Sequence, residues 1–196
     1  MSAKERDDAL IKLVHSDEAN PNFLFISARS QAEFNAKSNG LLGKLVNSKA
    51  GALRKYLRDV EGKEGSERLV NFYKEKLGPT EKQEAMVSGK SPASGYIALS
   101  QTAWKNLHKV LVTLNALLPR EDRSGFITLS DLHVGVWFAR ILVCVGAKEL
   151  ADVSGAFAKL GMETGAKDSE LGWIQRWWAS MITRKSFKQV YGSGLF

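Results

Sequence analysis

Apolar side chains recur along this chain at intervals of three and four residues, and this spacing limits what it can fold into. Such spacing places side chains along one face of an α-helix. The segment 96–118 shows it most clearly, with a stripe formed by Trp104, Leu107, Leu111, Leu114 and Leu118 and widened by Ala103, Val110 and Leu117. A stripe this broad predicts burial on more than one side. Alternation of apolar and polar residues, the pattern of a half-buried strand, is scarce, so the sequence predicts an all-α fold.

Glycine and proline divide the first half of the chain into shorter predicted helices. The same spacing predicts helices over 5–14, 23–38, 41–60 and 66–77. The Asn-Pro-Asn at 20–22 is expected to separate the first two. Gly78-Pro79 is expected to end the fourth, because proline lacks the amide hydrogen that continues a helix. The segment 78–95, which holds three glycines and two prolines, is therefore predicted to be a long loop, or loops around a short helix.

A helix-start signal occupies residues 127–132, which read Ile-Thr-Leu-Ser-Asp-Leu. Thr128 has the side chain of an N-cap, and Asp131, three residues later, can accept a hydrogen bond from the N-cap amide. Together they predict a capping box. Ile127 and Leu132 have the spacing of a hydrophobic staple across the same helix start. The sequence therefore predicts that Asp131 has a structural role rather than a catalytic one.

The helix after this signal is apolar almost all round as far as Gly146, which predicts a buried central helix. An amphipathic helix is expected over 149–160, ended by Gly161. The last helix is expected from about residue 169 to 190, with Ile174, Trp177 and Met181 on its packing face. Residues 192–196 are expected to form a tail.

Composition restricts the classes of protein to which the chain can belong. It has 196 residues, 44% of them hydrophobic, which suffices for a packed core. No run approaches about 18 consecutive apolar residues, and the first residues lack the apolar core of a secretory signal, so no membrane association is expected. The formal charge of +7 is dispersed among acidic residues, which makes a nucleic-acid partner an unfavoured interpretation. The single cysteine, Cys144, suits a cytoplasmic location.

Few residues offer recognisable chemistry. Cys144 lies among apolar neighbours and is interpreted as a core residue. His15, His108 and His133 are far apart in the sequence, so no metal site is predicted. Trp104 and His108, four residues apart, share a helix face and could line a pocket, or could be ordinary packing at a helix surface.

The order of these pieces resembles the C-terminal helical domain of glutathione transferases. In that family a leucine-rich helix precedes a loop and a buried helix that opens with serine or threonine, two residues and aspartate, as Thr128 and Asp131 do here. The family's last helix has a characteristic pattern, whose places are taken by Ile174, Trp177, Met181, Arg184 and Phe187. Lys185 stands where the family usually has proline, and this predicts that the helix runs on. The resemblance covers 96–191, and 12–60 is similar to fungal members.

The resemblance implies a domain organisation. Residues 1–95 would be N-terminal helices and a glycine- and proline-bearing loop that pack on the bundle, 96–191 the glutathione-transferase-like core, and 192–196 a tail. The family binds glutathione mainly in a thioredoxin-like domain. Because residues 1–95 are predicted to be helical, that half is expected to be absent from this chain. No catalytic residue and no cofactor are then predicted, and glutathione would bind only with a separate thioredoxin-like domain.

The resemblance also implies a function. The chain would provide an apolar surface for a small molecule or a glutathione conjugate, with Trp104 and His108 lining the pocket. A second interpretation is a protein–protein docking module, of the kind this fold forms in translation complexes, with a homodimer or another protein as the partner. A third is a stand-alone enzyme, although no residue set names its reaction.

Overall fold

The computed structural model describes residues 2–119, 128–147 and 152–191. The regular elements in these ranges are helical and include no strand, which confirms the predicted all-α class. They are α1 (Ala3–Val14), a 3₁₀ turn (Asp17–Ala19), α2 (Pro21–Ile26), α3 (Gln31–Ser38), α4 (Leu41–Val60), α5 (Glu67–Val87), α6 (Ser94–Leu117), α7 (Leu129–Cys144), α8 (Val153–Thr164), α9 (Asp168–Ile182) and α10 (Lys185–Tyr191). Within the described ranges, none of these helices combines the length and apolarity needed to cross a bilayer.

The chain divides into two compact units. Unit 1 consists of Met1–Phe25 and Thr102–Phe196, and unit 2 of Ile26–Gln101. The first turns of α6 belong to unit 2 and the rest of the helix to unit 1. The division at residues 95 and 96 that the resemblance implies stays a prediction.

Helix α7 lies at the centre of the unit 1 core. Val134, Phe138 and Ile141 are fully buried on it, together with Leu111 of α6 and Trp178 of α9. The Phe138 ring meets the Trp178 ring edge-on, with centroids 5.2 Å apart. Burying each side chain of this size contributes about 1.5–3 kcal/mol to folding. The apolar stripes read from the sequence of α6, α7 and α9 therefore converge on one core.

One strip of α7 differs from the prediction of burial all round. Leu129, Leu132 and Val136 are 64%, 52% and 49% exposed. Their spacing of three and four places them on one side of the helix. The other sides of α7 pack against neighbouring helices, and the apolar residues of this strip remain open to water.

A polar cluster fixes the start of α7. The Asp131 carboxylate accepts hydrogen bonds from the Thr128 amide, at 2.9 Å, and from the Trp177 indole of α9, at 3.1 Å, while the Thr128 hydroxyl accepts from the Asp131 amide at 3.2 Å. The Ser130 hydroxyl donates to Asp7 of α1 at 2.9 Å. Asp131 of the capping box therefore also ties α7 to α9, and the neighbouring Ser130 ties it to α1. Ile127 of the expected staple lies outside the described residues.

Helix α5 corrects the prediction that Gly78-Pro79 ends a helix and begins a loop. It continues through Pro79 to Val87. The hydroxyl of buried Thr80 donates to the Lys76 carbonyl at 2.8 Å, a side-chain bond within the turn that contains the proline. Beyond the proline, α5 is also held to α4 by an ion-pair cluster at Arg54. Tertiary contacts thus outweigh the helix-breaking tendency of Pro79.

Arg54 of α4 binds two glutamates that follow Pro79. Its Nε donates to Glu81 Oε1 at 3.2 Å, and its Nη1 donates to Glu84 Oε1 at 3.0 Å. Hydrogen bonds from this guanidinium hold the pKa of Glu84 below its ordinary value, and the bonds to Glu84 raise the pKa of Arg54. The Arg54–Glu84 pair therefore favours its ionised form.

The predicted helix 23–38 is divided in the structure into α2 and α3. Pro21 begins α2, since its fixed φ and missing donor suit a first helical position. In the break, the Ala28 amide donates to the buried Ser100 hydroxyl of α6 at 3.0 Å instead of to a helical carbonyl. Ser30 then caps α3 by accepting from the Glu33 amide at 3.2 Å. The α3–α4 turn requires Gly43, because a Cβ there would lie 1.9 Å from the Ser38 carbonyl oxygen.

Two predicted helix ends are also displaced. Helix α8 passes Gly161 and ends before Gly165, whose φ of +73° suits glycine and whose amide donates to the Gly161 carbonyl at 2.8 Å. The last helix does not run on at Lys185 but stops at Ile182 and restarts as α10. The Thr183 hydroxyl donates to the Ser180 carbonyl at 2.7 Å, and the Arg184 amide bonds three residues back to Met181. This tightened turn separates the two helices.

We predict that Asp131→Asn destabilises the protein by about 1–3 kcal/mol, because one amide oxygen cannot replace two acceptor oxygens and the new NH₂ group faces a donor. Urea unfolding followed by circular dichroism measures the change. Asp8→Asn is the matched control, since Asp8 is exposed on α1, and it should change stability by less than about 0.5 kcal/mol. Equal effects of the two substitutions would contradict the role given to Asp131.

We predict that Arg54→Gln raises the pKa of Glu84 toward the ordinary carboxyl value. Because the folded-state pKa is lowered, the cluster stabilises the fold above the ordinary glutamate pKa, and this contribution is lost as pH falls through the lowered value. An NMR titration of the Glu84 carboxyl carbon measures the shift. Arg58→Gln, one turn further along α4 at an exposed position, should leave the titration unchanged. The same change in both variants would show a general charge effect instead.

Candidate functional site: a cleft beside α7

A cleft in unit 1 lies beside the exposed strip of α7, and we call it the α7 cleft. Its volume is about 560 Å³, within the usual range for small-molecule sites. It is bounded by the end of α1, by the segment from His15 to Asn22, and by one side of α7. The lining residues are Val14, His15, Ser16, Asp17, Asn20, Pro21, Asn22, Leu129, Leu132, His133, Val136, Trp137 and Arg140.

The α7 side of the cleft is mainly apolar. Leu129, Leu132 and Val136 line it and are about half exposed or more. Trp137 lines it too, although only 5% of this residue is exposed, so most of the indole belongs to the core. A core-anchored aromatic residue beside an open apolar strip provides a rigid surface against which an apolar group can pack.

Two histidines meet at the polar side of the cleft. His15 caps the C-terminal end of α1, and His133 lies in the second turn of α7. The Nε2 atom of His15 is 2.7 Å from the Nδ1 atom of His133. The rings are nearly perpendicular, with an interplanar angle of 75° and centroids 4.9 Å apart. At this distance one nitrogen carries a hydrogen and the other accepts it.

Further contacts hold the segment that closes the cleft. Arg140 of α7 donates to the side-chain oxygen of Asn22. The Asn22 amide donates in turn to the side-chain oxygen of Asn20 at 3.0 Å, and the Cys144 thiol lies 3.5 Å from the Pro21 carbonyl. Polar contacts from α7 thus reach both ends of the segment, through His133 at one end and Arg140 at the other.

The structure places the predicted pocket residues elsewhere. Trp104 is 7% exposed and belongs to the core cluster, and neither it nor His108 lines the α7 cleft. His108 Nε2 lies 3.2 Å from Glu170 Oε2 on α9. A hydrogen bond from the Lys167 amide, helped by His108, holds the pKa of Glu170 below its ordinary value. His108 is therefore engaged in linking α6 to α9.

The other two predicted residues, Thr128 and Asp131, form the capping box at one end of α7 and position the helix without lining the cleft. Sequence reasoning missed the pairing of His15 with His133, which are 118 residues apart. The available signal was the position of His133 beside Leu132 and Val136 on one helix. Its partner could not be found from spacing.

Within the described ranges, no three His, Cys, Asp or Glu side chains form a group suited to holding a metal ion.

Comparison of the chain with protein-family profiles, curated proteins and solved structures finds no significant match. The α7 cleft is therefore interpreted from its own geometry.

Proposed function

We propose that this chain is a glutathione-transferase-like helical domain that binds an apolar small molecule in the α7 cleft. The exposed strip Leu129, Leu132 and Val136 carries the proposal. These residues belong to a helix that is otherwise built into the core, and they face an open volume of ligand size. A ligand that covered this strip would remove apolar surface from water. Each Å² of apolar surface buried stabilises the complex by about 25 cal/mol.

The polar side of the cleft complements this apolar wall. His15 and His133 supply ring nitrogens that donate or accept, Arg140 supplies N–H donors, and Asp17 supplies an exposed carboxylate. A mostly apolar wall with a few polar groups is typical of small-molecule sites. The ligand proposed is therefore a molecule with an apolar body and at least one polar end.

The resemblance to glutathione transferases suggests a more specific class of ligand. The capping box at the start of a buried helix, and the helices before and after it, support that likeness. In that family the helical domain supplies the wall for the apolar co-substrate. By this proposal a glutathione conjugate is held here by its apolar group, whereas glutathione itself would need a separate thioredoxin-like domain. A cytoplasmic location would suit such a ligand.

We predict that the uncharged probe N-phenyl-1-naphthylamine binds in the α7 cleft and that Val136→Asp weakens this binding at least about tenfold. The substitution puts a charge against the apolar body of the probe. Probe fluorescence measures binding. Val112→Asp is the matched control, because Val112 is also a partly exposed valine on a unit 1 helix but lies outside the cleft lining. If both variants bind like the unmodified chain, the cleft is not the site.

Glutathione and S-hexylglutathione test the proposed ligand class. Both are titrated while tryptophan fluorescence is recorded, since Trp137 lines the cleft. The proposal expects only the conjugate to bind, with its binding weakened by Val136→Asp. Comparable binding of both compounds would place glutathione recognition within this chain and overturn that part of the proposal.

The docking interpretation is favoured by a different surface. In unit 2, the ring centroid of Tyr56 on α4 lies 5.8 Å from that of Tyr73 on α5. The ring centroids of Tyr73 and Phe72 lie 5.4 Å apart. Tyr56 and Phe72 are each 49% exposed, and Leu69, which lies on α5 with Phe72, is 48% exposed. Exposed apolar groups gathered on one hairpin are typical of protein contact surfaces.

For a docking role, we predict a homodimer in sedimentation-velocity experiments. Leu69→Asp should shift it to monomer, because a charge would be buried in the contact. Leu99→Asp is the control, since Leu99 is an exposed leucine of α6 in the same unit. A monomer at all concentrations would remove the support for self-association and leave the ligand cleft as the favoured function.

A further inference from the structure

The His15–His133 pair has a geometry that suits more than a hydrogen bond. Two nitrogens bound to one tetrahedral ion at about 2.0–2.1 Å lie about 3.3 Å apart. The observed separation of Nε2 and Nδ1 is 2.7 Å. A small rotation of either ring would therefore let both nitrogens face one ion. His15 is exposed and follows the last turn of α1, which leaves its ring room to adjust.

The surroundings of the pair leave coordination positions open. Both rings line the α7 cleft, so water can reach the space between them. Within the described residues no third His, Cys, Asp or Glu completes a cluster with them. A bound ion would thus keep water in its remaining positions, as catalytic or exchangeable sites do and closed structural sites do not.

We propose that His15 and His133 form an open two-histidine site for a late first-row divalent cation such as Zn²⁺ or Cu²⁺, with Cu²⁺ bound most tightly. Imidazole nitrogen is a preferred ligand of these ions, whereas Mg²⁺ and Ca²⁺ require oxygen ligands. The pair is anchored on two elements that the Ser130–Asp7 bond holds together, so the two ligands are brought close before the ion arrives. The site does not depend on the apolar ligand proposed above.

The test is a titration of the full chain, free of any histidine tag, with ZnCl₂ by isothermal calorimetry. His15→Asn and His133→Asn each remove one ligand and keep a polar side chain. Each is expected to weaken Zn²⁺ binding at least about tenfold. His108→Asn, which removes the third histidine of the chain, and Cys144→Ser, which removes its single thiol, should bind like the unmodified chain. Circular dichroism verifies that each variant is folded.

A second measurement does not rely on the variants. Electron paramagnetic resonance of the unmodified chain loaded with one equivalent of Cu²⁺ counts the coordinating nitrogens, and two imidazoles are expected. The proposal is overturned if no Zn²⁺ binds, if the His15 and His133 variants bind like the unmodified chain, or if Cu²⁺ shows fewer than two imidazoles. Any of these results would leave the pair as a hydrogen bond only.

Discussion

The polar cluster around the Asp131 carboxylate joins the start of α7 to α9 and α1, and the position of that helix start depends on it. One oxygen accepts from the Thr128 amide and the other from the Trp177 indole of α9. The neighbouring Ser130 hydroxyl reaches Asp7 of α1. Since a helix start leaves several amides without partners, such a cluster both satisfies the helix end and orients it against its neighbours. These bonds hold the start of α7, and the buried side chains of Phe138 and Ile141 hold the rest of the helix in the core.

The α7 cleft results from how the central helix is shared between core and surface. Phe138, Ile141 and Leu142 are buried in the core, to which α1 contributes Leu10 and Val14, whereas the segment to Asn22 is held to α7 by polar contacts. His133 and Arg140 hold that segment from two points. The apolar side chains of Leu129, Leu132 and Val136 are left exposed, and the cleft forms beside them.

Local signals in the sequence predicted helices well and some of their ends poorly. Pro79 and Gly161 were expected to end helices, yet both lie inside them. At Pro79, the ion pairs from Arg54 to Glu81 and Glu84 hold the helix beyond the proline against α4. At Gly161 the helix continues, because this glycine does not adopt a positive φ. Gly165 does adopt a positive φ, and α8 ends there. These outcomes depend on neighbours that a single window of sequence does not contain.

The sequence by itself determined the helical class, the stripes that became the core, and the capping box of Thr128 and Asp131. Each depends on residues within a few positions of one another, where periodicity and local hydrogen bonds decide the conformation. Only the tertiary structure decided that one strip of α7 stays exposed, that Trp104 and His108 lie away from the cleft, and that His15 meets His133. Those features depend on which helices pack together, because that packing brings residues 118 positions apart into contact.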